Sequence, residues 1–166
     1  MKHASDAHGP KRRSGSGGAR ALTRHVTVLH IDDDPNDTAL LQAAIRHASL
    51  SFSIVNVQDG DEAIEYLSGA GVYSNRLRYP LPSLILLDLK LPRQTGHEIL
   101  KWIRDHPGFN HMPVIVLSGS ELKEDIKQAY VGGANSYLIK PIGFEALVSL
   151  VKSIGARWLA LNPGMG

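Results

Sequence analysis

The 166 residues contain no cysteine. Disulfides, thiol nucleophiles and Cys-ligated metals are therefore excluded. No apolar run approaches the roughly 20 residues that a membrane-spanning helix needs. The N-terminus is basic but lacks the apolar core of a signal peptide, so the cytoplasm is the expected compartment and no membrane contact is expected. Also missing is a Gly-rich phosphate loop after the first strand-like segment. Asp32-Asp33-Asp34 stands there instead. Three carboxylates repel a nucleotide's phosphates unless a metal intervenes, which argues against a nucleotide-binding module.

What is present is ordinary for a globular chain, with 43% hydrophobic and 20% charged residues. The length suits one domain with a real core, not two. The net charge of +2 hides an asymmetry. Lys2, Lys11, Arg12, Arg13, Arg20 and Arg24 stand against Asp6 in residues 1–25, a net of +5. The other 12 basic and 15 acidic residues leave −3 for the remainder. The pI of about 8.9 thus belongs to the leader, and the folded part is not expected to bind nucleic acid. Residues 1–24 are rich in Gly, Ser, Arg and His with no apolar period, which predicts a disordered basic tail.

The organising stretch is Ser83-Leu84-Ile85-Leu86-Leu87-Asp88-Leu89-Lys90-Leu91-Pro92. An apolar run without alternation, flanked by prolines, predicts a strand buried on both faces of a parallel sheet. Further strands are expected over 25–31, 52–57, 114–117 and 136–139. Helices are expected over 36–48, capped by Asn36 or Asp37, and over 62–67, 95 onward with Thr95 as cap, 121–131 and 144–159. Ala39, Leu40, Ala43, Ala44 and Ile45 should face inward on the first helix. Leu147, Leu150, Val151 and Ile154 should do so on the last. Residues 68–82 read as a long loop. Five strand–helix repeats predict a parallel sheet with helices on both faces and right-handed crossovers.

Four of the five expected strands end in a candidate polar residue: Asp32-Asp33-Asp34 after the first, Asp88 after the third, Ser118 after the fourth, Lys140 after the fifth. A parallel sheet gathers all of them at its carboxyl edge. Clustered carboxylates call for a cation, and hard oxygen ligands suit Mg²⁺. Asp88 then becomes a candidate nucleophile toward a phosphoryl group, with Lys140 and the Ser118 hydroxyl holding its oxygens. Singly, Ser118 reads as a turn residue, Lys140 as solvated and Asp34 before Pro35 as a helix cap. Together, one at each strand end, they point to a site.

With these motifs in view, the chain from Val26 to about Leu159 resembles the receiver domain of two-component response regulators. The resemblance rests on Asp32-Asp33-Asp34-Pro35, on Leu86 to Pro92 with Gly96, on Val114 to Gly119 and on Ala134 to Pro141. It implies an α/β, flavodoxin-like (βα)5 sandwich with strand order 2-1-3-4-5. The implied division is a tail over 1–24, a receiver over 25–160 and a short tail over 161–166. It further implies that Asp88 takes a phosphoryl group from a sensor histidine kinase or a histidine phosphotransfer protein. Mg²⁺ would be held by Asp33, Asp88 and the backbone carbonyl of Lys90, with Asp32 acting mainly through water. Ser118 and Tyr137 match the family's switch positions, although a half-buried strand aromatic explains Tyr137 as well. The Lys140–Pro141 bond is expected to be cis. Ser118 stands where Thr is commoner, and Lys90 stands where the phosphoryl lifetime is tuned. The 68–82 loop and Leu91-Pro92-Arg93 look like single-domain regulators that partner bacterial phytochromes.

Only Asn162 to Gly166 follow the last helical pattern, so the expected output is contact with a downstream protein target. A homodimer through the last helix near Trp158 is one reading of that residue, and a core position explains it equally. The enzyme alternative is a Mg²⁺-dependent phosphatase with an aspartyl-phosphate intermediate. Such sites want an acid/base carboxylate two residues after the nucleophile, where Lys90 stands. A third reading is a degenerate receiver that acts by binding alone.

Overall fold

The computed structural model describes residues 25–159; the tails read over 1–24 and 161–166 lie outside the described residues. The elements alternate: β1 (Thr27–Ile31), α1 (Pro35–His47), β2 (Ser53–Val57), α2 (Gly60–Ser68), β3 (Leu84–Leu87), α3 (Gly96–Asp105), β4 (Val114–Ser118), α4 (Lys123–Val131), β5 (Ser136–Ile139) and α5 (Phe144–Ile154). A π-helical turn over Gly155–Leu159 extends α5. The sheet is parallel throughout, in the order β2-β1-β3-β4-β5.

The unbroken apolar run of β3 follows from its central place. Successive strand side chains point to opposite faces, so a strand covered on both sides needs an apolar residue at every position. Ile85 and Leu87 join Leu29, Ile31, Val114 and Val116 in one core, closed by Leu67, Ile99 and Ile103 of α2 and α3. Leu84 and Leu86 join Val28 and Ile115 in the other, closed by Leu41 of α1 and Val148 and Val151 of α5. Truncating such a residue to Ala costs about 2–5 kcal/mol.

Several local expectations change. The cap of α1 is Asp34, whose carboxylate accepts the Asn36 N–H at 2.8 Å, as the cap reading of Asp34 before Pro35 has it, and not Asn36 or Asp37. Pro35 has no N–H to satisfy and a fixed φ suited to the first helical position, so the helix starts one residue earlier. That start sets the inward face: Leu41, Ala44 and Ile45 are buried, while Leu40 is 49% exposed. On α5 Val148 joins Val151 and Ile154 as buried, while Leu147 and Leu150 are only partly covered. Thr95 caps α3 as expected, in a reciprocal pair with Glu98. The described residues contain no cis peptide, so Lys140–Pro141 is trans. The trans form is intrinsically lower by about 0.5–1 kcal/mol, and Gly143, at φ +93°, supplies the special backbone angle that opens α5.

The 68–82 segment is more than a loop. Gly69 ends α2 in the left-handed region, and a 3₁₀ turn follows over Gly71–Tyr73. The rings of Tyr66, Tyr73 and Tyr79 then pack at 5.0–6.2 Å between centroids. Arg76 donates to the carbonyls of Tyr66, Leu67 and Tyr79 at 2.7, 2.6 and 3.2 Å. The Tyr66 hydroxyl donates to Pro80 O at 2.8 Å. A small core with its polar groups satisfied fixes the segment against α2.

Candidate functional site

Parallel pairing carries β1, β3, β4 and β5 to one edge in register. Ile31 pairs with Leu87, Leu87 with Val116, and Ser118 with Ile139. Asp32 and Asp88 are each the next residue after their strand. Backbone bonds from Asp32 N to Val57 O and from Asp88 N to Ile31 O, both 3.0 Å, hold them there. Lys140 N donates to Ser118 O at 2.8 Å, which fixes the root of the lysine one strand over.

Lys140 Nζ then reaches back along the edge. It lies 2.8 Å from Asp32 Oδ2, 2.8 Å from Asp88 Oδ2 and 2.6 Å from Asp37 Oδ2. The side chains of Asp32 and Asp88 are 0% and 10% exposed, so two carboxylates are withdrawn from water around one ammonium. Burial works to raise the Asp32 carboxyl. Hydrogen bonds from the His30 ring, Lys140 and the Asp34 N–H, with the Lys140 charge, outweigh it and hold Asp32 down at about 2. Burial works to lower Lys140; its bonds to Asp32, Asp37 and Asp88 outweigh that and raise it above its ordinary value. Both groups are therefore charged at neutral pH.

The loop after Asp88 is folded over it. Lys90 N donates to Asp88 Oδ1 at 3.2 Å, and Gly96 N to Leu89 O at 2.9 Å. A Cβ at Gly96 would lie 2.3 Å from Asp88 O and 2.7 Å from Leu89 Cα, so only glycine allows this close approach. Across the edge, Ser118 is buried and its Oγ accepts the Ser120 N–H at 3.2 Å. The Tyr137 hydroxyl donates to Ser120 O at 2.8 Å, which ties β5 to the β4–α4 loop. The half-buried ring packs against the core, as the plainer reading of Tyr137 expected.

Of the expected site residues, Asp32, Asp88 and Lys140 are brought into contact. Ser118 lies at the same edge but is not in that hydrogen-bonded group, and Asp33 is exposed beside Asp32. Three residues join that the sequence does not assign to the site. Asp37 on α1 takes the shortest Lys140 contact. Buried His30 places Nε2 3.5 Å from Asp32 Oδ2. Asn56 of β2 donates to His30 O and Asp32 O at 3.1 and 3.2 Å. The available signals were a histidine inside an apolar strand, two residues before Asp32 on the same face, and an acid in the first turn of a helix that opens at this edge.

Among the described residues no three acidic or histidine side chains are preassembled as a metal cage. The donor chemistry still fits a hard divalent cation. Asp32, Asp37 and Asp88 stand against one ammonium with Asp33 exposed beside them, all offer oxygen, and Asp32 is ionised. A cation that keeps several waters needs only one or two such carboxylates.

The sequence profile described as "Response regulator receiver domain" matches residues 28–152. This chain belongs to the response regulator receiver family. Response regulator Rcp1 of Synechocystis sp. is 33% identical over 132 residues, covering 80% of this chain and 88% of Rcp1. The crystal structure of the phosphorylated cyanobacterial phytochrome response regulator RcpA superposes with a TM-score of 0.76 at 35% identity, covering 84% of this chain and 99% of RcpA. The Mn²⁺-bound form of Rcp1 gives 0.72 at 32% identity, covering 81% and 94%. The chain is thus a receiver that accepts a phosphoryl group in two-component signalling, with a sensor kinase as its class of partner and a divalent metal as its class of ligand. Receivers of this kind are generally signalling proteins, not enzymes. Among the described residues no helix is long and apolar enough to cross a membrane.

Proposed function

We propose that Asp88 is the phosphoacceptor of this receiver. The observation that supports it most directly is the Lys140 ammonium 2.8 Å from Asp88 Oδ2, at the end of the central strand. An Asp88 oxygen attacks the phosphorus of a phosphohistidine on a sensor kinase or a histidine phosphotransfer protein. The P–N bond breaks, its electron pair stays on the imidazole nitrogen, and that nitrogen takes up a proton. Asp88 becomes an acyl phosphate, which water later returns to carboxylate and inorganic phosphate. Lys140 gives a hydrogen bond and a positive charge to one phosphoryl oxygen. The Ser118 hydroxyl donates to another when it turns from Ser120. Tyr137, released from Ser120 O as that loop moves, carries the change to the α4–β5 surface, where a downstream protein reads it.

Asp33, Asp88 and the Lys90 carbonyl would hold Mg²⁺, with Asp32 through water. When bound, the ion neutralises charge on the transferring phosphoryl group. The Mn²⁺-bound form of Rcp1 supports a divalent ion of this size. The likeness to RcpA, a cyanobacterial phytochrome response regulator, supports a kinase of the bacterial phytochrome type.

Acetyl phosphate tests the reading. Wild type and Asp88→Asn are incubated with the donor, with and without Mg²⁺, and weighed intact. A Mg²⁺-dependent phosphoryl adduct that the variant loses is the expected result. A folded wild type that gains no adduct in Mg²⁺ would mean a receiver that signals by binding alone.

A further inference from the structure

None of the roles above uses Asp37, yet its Oδ2 makes the shortest of the Lys140 contacts. An ammonium has three donors, and here all three are spent on carboxylates. A phosphoryl oxygen arriving on Asp88 can receive Lys140 only if one of these contacts is surrendered. Asp32 is the expensive one to leave, because its side chain is 0% exposed and would stay buried and charged. Asp37 is the cheap one. Its side chain is 36% exposed and stands in the first turn of α1, where the helix N-terminus also favours a carboxylate. A cavity of about 60 Å³ lined by His30, Asp37, Leu41, Lys140 and Leu147 adjoins the pair. It has room and polar partners for water to rehydrate a released carboxylate.

We propose that Asp37 is a positioning residue that holds Lys140 in competition with the phosphoryl group on Asp88. In the unphosphorylated protein it parks the ammonium against the first turn of α1. On phosphorylation it gives the ammonium up. The proposal rests on the Asp88 reading. It assigns Asp37 no contact with the phosphoryl group, only an effect through Lys140.

A double-mutant cycle tests it, with the initial rate of Asp88 phosphorylation at limiting acetyl phosphate as readout. Asp37→Asn keeps the side-chain shape and removes the charge. Losing a half-exposed competitor should raise the rate about two- to fivefold. In a Lys140→Ala background the same change should have no effect, because the group through which it acts is gone. Asp37→Glu, which restores the charge, should bring the rate back toward wild type. An equal acceleration in both backgrounds overturns the proposal, since Asp37 would then act only as a negative charge repelling an anionic donor. No acceleration by Asp37→Asn overturns it too. The ¹⁵N resonance of the Lys140 ammonium separates the two layers of argument, because it is read without phosphorylation. An unshifted signal in Asp37→Asn removes the tether alone, whereas a wild type that takes no adduct removes the Asp88 reading and the competition with it.

Discussion

Replacing Lys140 with methionine keeps most of the aliphatic stem and deletes the ammonium. Three carboxylates then face one another with nothing between them, two at 2.8 Å and one at 2.6 Å from where the charge had been. Leaving a buried charge without its partner costs about 3–5 kcal/mol. That figure must be reduced here, because the Lys140 and Asp37 side chains are 22% and 36% exposed and water takes up part of the load. About 2–3 kcal/mol of lost stability at pH 7 is the expected outcome, measured by urea unfolding in EDTA. The pH dependence gives a second handle. In wild type, Asp32 is held down at about 2, below its unfolded value of 3.8. Its contribution is therefore present above 3.8 and lost as pH falls from there toward 2. In the variant Asp32 loses the charge that helps to hold it ionised, and protonation at low pH relieves the repulsion within the cluster. The gap between the two proteins should thus be widest at neutral pH, shrink through the window between 3.8 and about 2, and be nearly closed only by about pH 2. Added Mg²⁺ should narrow it at neutral pH. A variant within about 0.5 kcal/mol of wild type in EDTA at pH 7 would refute the reasoning, since the cluster would then be too well solvated to matter.

Gly96→Ala should destabilise the fold by about 2–3 kcal/mol and slow phosphorylation, because its Cβ has to displace the backbone of Asp88; unchanged thermal unfolding and unchanged adduct formation would count against the close approach. Arg104 donates to Gly133 O at 3.0 and 2.8 Å, to Met112 O at 2.8 Å and to Asn135 Oδ1 at 2.9 Å. Arg104→Met strands those acceptors and should cost about 2 kcal/mol in urea unfolding. Arg104→Lys should recover less than half of that, because a point charge cannot span several acceptors.

The strand order and the two-sided cover of β3 were legible because a doubly buried strand must be apolar at every position. The edge was legible for a related reason: polar residues directly after apolar runs can only lie where the strands leave the sheet. What stayed hidden depends on distances across the fold. Asp37 and Lys140 are far apart in sequence, and no periodicity says that one reaches the other. The cap of α1 stayed open between Asp34 and Asn36 or Asp37 because all three are competent caps. Only the fit of Pro35 to the first helical position decides among them, and that decision also frees Asp37 for the lysine. The order within 68–82 was invisible for a different reason. Its core is three tyrosines and an arginine bonded to backbone carbonyls, a pattern with no repeat to detect.

That small aromatic core has a practical consequence. One guanidinium gathers the carbonyls of Tyr66, Leu67 and Tyr79, so the two ends of the excursion are clamped together independently of the chain between them. Leu77, 99% exposed, sits inside the clamp. The excursion joins the end of α2 to the start of β3, on the side of the sheet away from Asp88. Loop closure grows only slowly more costly with length, and exposed tips are where insertions are tolerated. A fluorescent tag spliced in at Leu77 can therefore ride on the receiver while leaving the chemistry at the opposite edge untouched.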